Sequence, residues 1–157
     1  MTIRKVFFIS LVIASFLYLG SCAGHKSKRS RIDTVIKTAR SYTGTPYKWG
    51  GTTRSGIDCS GLLLNSFNSI DYKIPRTSGE QRKLGKRVSI SEIKKGDLVF
   101  FATGKKKRKI THVGLVTEVK GKDHIKFIHA SSSIGVTESN LTSNYYKKRF
   151  RQARRIL

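Results

Sequence analysis

The stretch that decides the fold is GDLVFFATGKKKRKITHVGLVTEVKGKDHIKFIHA, residues 96–130. It contains three runs rich in β-branched and aromatic residues, Gly96–Phe101, His112–Val119 and His124–Ala130. Such runs, bounded by turn residues, are typical of buried strands. Because no helical pattern separates them, we expect consecutive strands to pair antiparallel, without βαβ crossovers.

Helical patterns come before these runs. The first helix begins near Arg31, and its apolar face is formed by four residues at helical spacing: Ile32, Val35, Ile36 and Ala39. A second helix is predicted over Cys59–Phe67, with Asp58 as its N-cap. Thr77-Ser78-Gly79-Glu80 matches a capping box, which predicts that a short third helix begins there.

Two further β-rich segments complete the chain. Strands are predicted at Gly135–Glu138 and Phe150–Leu157, with a short helical turn at Leu141–Tyr146 between them. Helices first and strands later indicate an α+β fold, in which N-terminal helices pack on an antiparallel β-sheet.

The N-terminus is typical of an export signal. Arg4 and Lys5 precede the apolar run Val6–Leu19, whose 14 residues are fewer than the roughly 20 that a membrane span needs. Leu19-Gly20-Ser21-Cys22 then resembles a lipobox, which predicts that residues 1–21 are a signal peptide and that Cys22 is acylated. The alternative is an ordinary signal peptide cut near Ser21, with Cys22 incidental.

Lipidation at Cys22 would divide the mature chain into a tether and a domain. Residues 22–30 are small, polar and basic, and we expect them to be a lipidated tether ahead of one domain over 31–157. Each buried methylene of the acyl chains adds about 0.8 kcal/mol to membrane binding. We therefore expect a lipid-anchored protein of a bacterial cell envelope, on the periplasmic face of the outer membrane if the bacterium is Gram-negative.

The chain is strongly basic, with 32 Lys and Arg against 9 Asp and Glu and a formal net charge of +23. Such a charge attracts anionic polymers, and nucleic acid is the usual inference. An exported lipoprotein does not meet nucleic acid routinely, so we expect no nucleic-acid partner and favour anionic envelope material or the membrane surface. Alternatively, many of these lysines only keep the surface solvated. The basic turn Lys105–Lys109 is then no more than the solvated tip of a hairpin.

Cys59 is the residue that most strongly indicates chemistry. If Cys22 is acylated it cannot form a disulfide, so Cys59 is a lone thiol in an oxidising compartment. It sits at the predicted start of a helix, where unpaired amides and the helix dipole favour the thiolate that acts as a nucleophile. The alternative is a small buried apolar residue, which is what a free cysteine usually is.

Two histidines lie in predicted strands downstream, His112 and His129. His112 shares a strand face with Gly114 and Val116, and we expect the glycine to let another segment, such as the Cys59 helix, pack close. A histidine among apolar residues is more often part of a core than of a site. Together with a cysteine at a helix start, however, His112 and His129 complete a set of a nucleophile, a base and an orienting group.

A zinc site built from Cys59, His112 and His129 is the competing interpretation. The spacings between these three residues match no common zinc signature, and the chain contains no Cys-x-x-Cys pair. We therefore do not expect a zinc site.

The residues now quoted resemble the NlpC-type cell-wall cysteine peptidases, which are papain-like in fold. The resemblance covers nearly all of residues 31–157. It rests on five motifs in order: Thr45-Pro46-Tyr47-Lys48-Trp49-Gly50-Gly51, Asp58-Cys59-Ser60-Gly61, Gly96-Asp97-Leu98-Val99-Phe100-Phe101, His112-Val113-Gly114 and Ile128-His129-Ala130.

The resemblance implies a catalytic triad of Cys59, His112 and His129, with Tyr47 at the oxyanion site. It also implies that three residues line the substrate groove: Asp58, Ser60 and Arg76. The implied reaction is hydrolysis of an amide bond in peptidoglycan stem peptides, for which we expect neither a metal nor an organic cofactor. The γ-D-glutamyl–diaminopimelate bond and the diaminopimelate–D-alanine crosslink are both open as targets. We expect a monomer.

Two other functions stay open from the sequence. A non-catalytic, envelope-binding lipoprotein on a retained peptidase scaffold would bind peptidoglycan without turnover. An acyltransferase or amidase would use the same Cys-His-His site on acyl substrates. The four lysines and one arginine of Lys105–Lys109 are a further candidate contact for stem-peptide carboxylates.

Overall fold

A computed structural model of the chain describes residues 28–157. The predicted signal peptide and Cys22, the predicted acylation site, lie outside the described residues, and so does most of the predicted tether. Within residues 28–157, no helix is both long enough and apolar enough to cross a membrane.

Two helices form one layer of the domain. Residues 28–40 are helical (α1), so residues 28–30, which we assigned to the tether, are in a helix and not in an irregular linker. Three of the four residues on its predicted apolar face, Val35, Ile36 and Ala39, are buried. The second helix, α2, spans Cys59–Asn68 and buries Leu62, Leu63 and Phe67 in the same core.

The loop between these helices contains a small hairpin that the sequence patterns did not predict. Strands β1 (Thr52–Thr53) and β2 (Gly56–Ile57) pair antiparallel, and each is too short for hydrophobic periodicity to show. The loop lies directly on α2, because a Cβ atom at Gly61 would stand 2.4 Å from the carbonyl oxygen of Gly51. Only glycine therefore fits the first turn of α2 at that point.

The second layer is a six-stranded antiparallel sheet, which confirms the predicted α+β class. Its strands are β3 (Lys86–Val88), β4 (Leu98–Phe101), β5 (His112–Val119), β6 (Ile125–Ser131), β7 (Gly135–Asn140) and β8 (Phe150–Arg155). Their order in the sheet is β3-β8-β4-β5-β6-β7. The sequence missed β3, and it predicted the other five to within a few residues.

Short helices fill the remaining connections. The helix α3 spans Ser78–Gln81, and the hydroxyl of its N-cap, Thr77, accepts a hydrogen bond from the amide of Glu80 as predicted. The predicted helical turn at Leu141–Tyr146 is instead a helix over Asn144–Arg149, α4.

An ion pair holds the last strand, β8, in its place between β3 and β4. Arg155 donates from Nε and Nη2 to the two carboxylate oxygens of Asp97, at 2.8 and 2.7 Å. Asp97 is almost fully buried, so each charge depends on the other for its solvation. This pair fixes β8 beside β4, far from its neighbours in sequence.

Apolar residues on the two faces of the sheet form two separate cores. Val113, Leu115 and Ile128 face α1 and α2, whereas Val116 and Phe127 face the opposite side.

Gly114 lets another segment pack close, as predicted, but that segment is β6 and not the Cys59 helix, because the glycine is on the face away from α2. A Cβ atom at this position would stand 2.4 Å from the ring of Phe127, which fills the space above the glycine. Gly114 therefore makes room for an aromatic side chain of β6, and that ring in turn stacks on His129 at 4.9 Å between centroids.

Candidate active site

Asp58 organises the start of α2. Its Oδ1 atom accepts hydrogen bonds from the Gly61 amide at 2.7 Å and from the Ser60 hydroxyl at 3.0 Å. Its Oδ2 atom accepts from the amide of Gly50, which belongs to the preceding loop. The predicted N-cap is thus confirmed, and it also ties that loop to the helix.

Arg76 completes the binding of this carboxylate. Its Nη1 and Nη2 atoms donate to the two oxygens of Asp58 at 2.9 and 2.7 Å, and Nη1 also donates to the Ser60 hydroxyl. Burial raises the pKa of the Asp58 carboxyl, but hydrogen bonds from Arg76, Gly61 and Ser60 outweigh it and hold the pKa below its ordinary value. The structure therefore brings together Asp58, Ser60 and Arg76, the three residues predicted for the groove.

Cys59 begins α2 and is a buried free cysteine. Burial raises the pKa of its thiol to about 11, against opposing hydrogen bonds from the backbone of Val113, Ser60 and Cys59 itself. The amides at the helix start do favour the thiolate, as expected, but desolvation outweighs them. The thiol on its own is neutral at pH 7.

His112 opens β5, next to the Val113 amide that contacts the thiol. No hydrogen bond joins the side chains of Cys59 and His112 within residues 28–157. The His112 ring uses Nε2 to contact Nδ1 of His129 at 3.0 Å, so its Nδ1 is the nitrogen left for proton transfer. Burial lowers the pKa of His112 to about 4, which keeps the imidazole neutral at pH 7.

His129 lies behind His112 and is 1% exposed. Burial, followed by the charge of His112, lowers the pKa of His129 to about 3. Its Nε2 atom lies 3.0 Å from Ser139 Oγ and 3.1 Å from the Tyr146 hydroxyl. If Nδ1 of His112 is to act as a base, its Nε2–H donates to Nδ1 of His129, and the Nε2–H of His129 then donates to one of these hydroxyls.

Neither Ser139 nor Tyr146 was predicted from the sequence as part of the site. Ser139 lies on β7 opposite Phe127 in the β6–β7 pairing, and Tyr146 lies on α4. Their approach to His129 depends on strand register and on the docking of α4. A pattern of serines and tyrosines in the sequence carries no signal of either.

A groove runs past these residues in two adjoining cavities. One, of about 240 Å³, has Cys59, Asp58 and Arg76 in its lining. The other, of about 320 Å³, is lined by His112 and His129 among others. Three residues line both cavities and so join them: Tyr47, Trp49 and Thr111. All the residues predicted for the triad, the oxyanion site and the groove therefore lie along one groove.

Tyr47 stands where the two cavities meet, and a backbone bridge to Ile57 holds it next to α2. Burial raises the pKa of its hydroxyl, and negative charge on Cys59, when that thiol is ionised, and on Asp58 raises it further. The hydroxyl therefore keeps its proton at neutral pH and can donate a hydrogen bond into the groove.

The arrangement does not favour the zinc interpretation. Nε2 of His112 and Nδ1 of His129 are joined to each other by a hydrogen bond, so they do not both face a common ion. In the part of the chain that the structure describes, no three His, Cys, Asp or Glu side chains are grouped to hold a metal ion.

Comparison with known proteins places this groove in a family. The sequence model of the NlpC/P60 family matches residues 44–155. The chain is 38% identical over 156 residues to the "Probable endopeptidase NlpC" of Escherichia coli (strain K12), covering 93% of this chain and 97% of that protein. It is 40% identical over 117 residues to the "Murein DD-endopeptidase MepS/Murein LD-carboxypeptidase" of the same strain, covering 74% of this chain but only 58% of that protein.

Solved structures agree with the fold. An NlpC/P60 family protein from Bacillus cereus superposes with a TM-score of 0.71 at 34% identity, covering 80% of this chain and 40% of that one. RipD from Mycobacterium tuberculosis, described as a non-catalytic NlpC/p60 domain protein adapted to peptidoglycan binding, superposes with a TM-score of 0.65 at 26% identity. The alignment covers 81% of this chain and 98% of RipD.

The Asp58–Arg76 pair generates a stability prediction. We expect Asp58→Asn to lower the free energy of unfolding by about 3 kcal/mol, because it leaves Arg76 without a counter-charge at a part-buried site. Glu80→Gln is the matched control, since it breaks an exposed pair with Lys83 and should cost less than about 1 kcal/mol. Urea unfolding followed by circular dichroism measures both, and equal losses would contradict the role given to Asp58.

Proposed function

Because the chain belongs to the NlpC/P60 family of papain-like cell-wall peptidases, we propose that it is a lipid-anchored cysteine endopeptidase that hydrolyses amide bonds in peptidoglycan peptides during cell-wall remodelling. The observation that carries the proposal is the common groove of Cys59, His112 and His129, with the helix-start thiol beside the first residues of β5. Neither a metal nor an organic cofactor is required for this chemistry.

The nucleophilic step depends on one proton that Cys59 and His112 share. Burial penalises a charge on either group alone, so between about pH 4 and about pH 11 the pair holds a single proton. As Cys59 Sγ attacks the carbonyl carbon, this proton resides on Nδ1 of His112. His129 accepts the hydrogen bond from Nε2 and keeps the ring in the orientation that the transfer needs.

The tetrahedral intermediate carries a negative charge on the former carbonyl oxygen. The amide of Cys59 is among the helix-start amides that lack intrahelical acceptors, and it supplies one donor. The Tyr47 hydroxyl supplies the second from the junction of the two cavities. Each well-placed donor of this kind stabilises the transition state by about 3 kcal/mol.

Collapse of the intermediate breaks the amide bond. His112 gives its proton to the leaving amine nitrogen, and an acyl-enzyme thioester remains on Cys59. A water molecule then loses a proton to His112 Nδ1 and attacks the thioester carbonyl. This second collapse releases the carboxylic acid and restores the thiol–imidazole pair.

The Asp58 side of the groove would bind the acyl portion of the substrate. Because Arg76, Gly50, Ser60 and Gly61 already saturate the Asp58 carboxylate, we infer that Asp58 acts by positioning the other groove residues. Arg76 keeps 36% of its side chain exposed and lines the cavity beside Cys59. Its guanidinium suits a carboxylate of a stem peptide.

Membership of the family does not by itself give turnover, since RipD is described as non-catalytic. Purified peptidoglycan digested with the full-length protein distinguishes catalysis from binding alone. We expect wild-type protein to release peptide fragments whose masses identify the scissile bond. We expect no detectable release from Cys59→Ala or from His112→Ala, because the nucleophile or its base is missing.

His124→Ala is the matched control for these variants. It also removes a histidine, but one that pairs with Glu118 and lines neither cavity of the groove, so cleavage should be retained. Circular dichroism verifies that each variant is folded. Unchanged cleavage by folded Cys59→Ala would refute the cysteine mechanism, whereas peptidoglycan binding without turnover by the wild type would identify a binding protein.

Lipid anchoring at Cys22 is a separate part of the proposal, supported by the sequence Leu19-Gly20-Ser21-Cys22 after a 14-residue apolar run. We expect cells that express the full chain with labelled palmitate to incorporate label into the protein and to retain it in the membrane fraction. Cys22→Ser should lose both properties, because the acyl acceptor is absent, while Cys59→Ser should keep them. Labelling of Cys22→Ser equal to that of wild type would contradict the anchor.

A further inference from the structure

Two basic segments that are distant in sequence come together at one end of the sheet. One is the β4–β5 loop, which carries Lys105–Lys109, and the other is the end of α4 with Lys148 and Arg149. Arg151 joins them: its Nε atom donates to the carbonyl of Lys107 at 2.7 Å and its Nη1 atom to the carbonyl of Lys148 at 3.1 Å. We call these seven residues, Lys105, Lys106, Lys107, Arg108, Lys109, Lys148 and Arg149, the basic platform.

The positive charge of the basic platform is not neutralised by the protein. Of the nine acidic residues, none lies between Asp97 and Glu118, and none follows Glu138. No ion pair within residues 28–157 involves a residue of the basic platform. The five consecutive side chains of Lys105–Lys109 are all exposed, so their charges are available to a partner.

The basic platform is continuous with the groove on the histidine side. Gly104 and Thr111, which flank the loop, line the cavity that also contains His112 and His129. The Thr111 hydroxyl accepts hydrogen bonds from the amides of Thr103 and Gly104 at 3.1 and 3.2 Å and so closes the base of the loop. The loop is therefore fixed at the rim of the groove.

On these grounds we propose that the basic platform binds carboxylates of neighbouring stem peptides when one peptide of polymeric peptidoglycan occupies the groove. The inference rests on the proposed function and extends it, because it makes the enzyme selective for the polymer over isolated muropeptides. A polymer that leaves the groove past His112 passes onto the basic platform. The continuity of the basic platform with the groove favours this polymer over a membrane as the partner.

The physics of such a surface predicts a graded, salt-sensitive contribution. A single exposed ion pair is weak and screened by salt, since the Debye length is about 8 Å at physiological ionic strength. Several such contacts on one polymer act together, because after the first contact the others are intramolecular.

Binding measurements in the Cys59→Ala background test the proposal without hydrolysis. The test variant is the triple substitution Lys105→Gln, Lys107→Gln and Lys109→Gln. The matched control is Lys86→Gln, Lys94→Gln and Lys122→Gln, three exposed lysines that line neither cavity of the groove. Each triple removes three positive charges from the formal +23, so a non-specific effect of net charge would be the same for both.

The expected result is a difference between these two variants. In co-sedimentation of the full-length protein with insoluble peptidoglycan at low salt, the test variant should bind about tenfold more weakly and the control within about twofold of the parent. The difference should disappear at high salt. With Cys59 restored, the ratio of kcat/KM for the polymer to kcat/KM for a purified muropeptide should fall about tenfold in the test variant alone.

Three outcomes would overturn the inference. Equal weakening by both triples would show a general charge effect, and unchanged binding by both would show a solvated loop. A test variant that keeps peptidoglycan binding but loses its preference for phosphatidylglycerol vesicles over neutral ones would show that the partner is a membrane. If the wild-type protein has no peptidase activity, the proposed function fails, but the sedimentation result still decides whether the basic platform binds the polymer.

Discussion

The Asp58 carboxylate is the constraint on which the site depends, because its two oxygens serve four residues at once: Gly50, Ser60, Gly61 and Arg76. Capping of α2 places Cys59 at the helix start, and the bond to Gly50 draws the Tyr47-bearing loop against the same helix. The ion pair places a guanidinium in the groove wall. One buried group thus positions the nucleophile, the oxyanion donor and the acyl side of the groove.

On the other side of the thiol, burial determines the chemistry. His112 opens β5 and His129 lies on the adjacent β6, and Phe127 stacks on His129 in the space that Gly114 leaves. This apolar surrounding disfavours imidazolium, and burial of Cys59 disfavours thiolate, so neither group ionises alone. While Cys59 and His112 share one proton, the pair carries no net charge. This lasts until Cys59 Sγ attacks the carbonyl carbon of a substrate. Because Nε2 of His112 is hydrogen-bonded to Nδ1 of His129, the proton from Cys59 moves to Nδ1 of His112.

Much of this arrangement could be predicted from residues 96–130, because strands as long as β5 and β6 show their period of two and carry their histidines at fixed positions. The N-cap role of Asp58 was equally local. Features that depend on tertiary pairing could not be predicted: the insertion of β8 beside β4 through Arg155, the two-residue strands of the β1–β2 hairpin, and the hydroxyls around His129. The same limit explains why Gly114 was expected to face α2, since a strand pattern identifies residues that share a face but not which layer packs on that face.

The measurement that tests the central claim most directly is the pH dependence of kcat/KM for a purified muropeptide. If Cys59 and His112 share one proton in a buried site, the active form of the pair carries that one proton. The pair gains a second proton, on His112, below a pKa near 4, and it loses the shared proton above a pKa near 11. The account therefore predicts a broad plateau from about pH 5 to about pH 10, with activity falling only outside it. An acid limb near pH 6.5, the ordinary value for an exposed histidine, would contradict it.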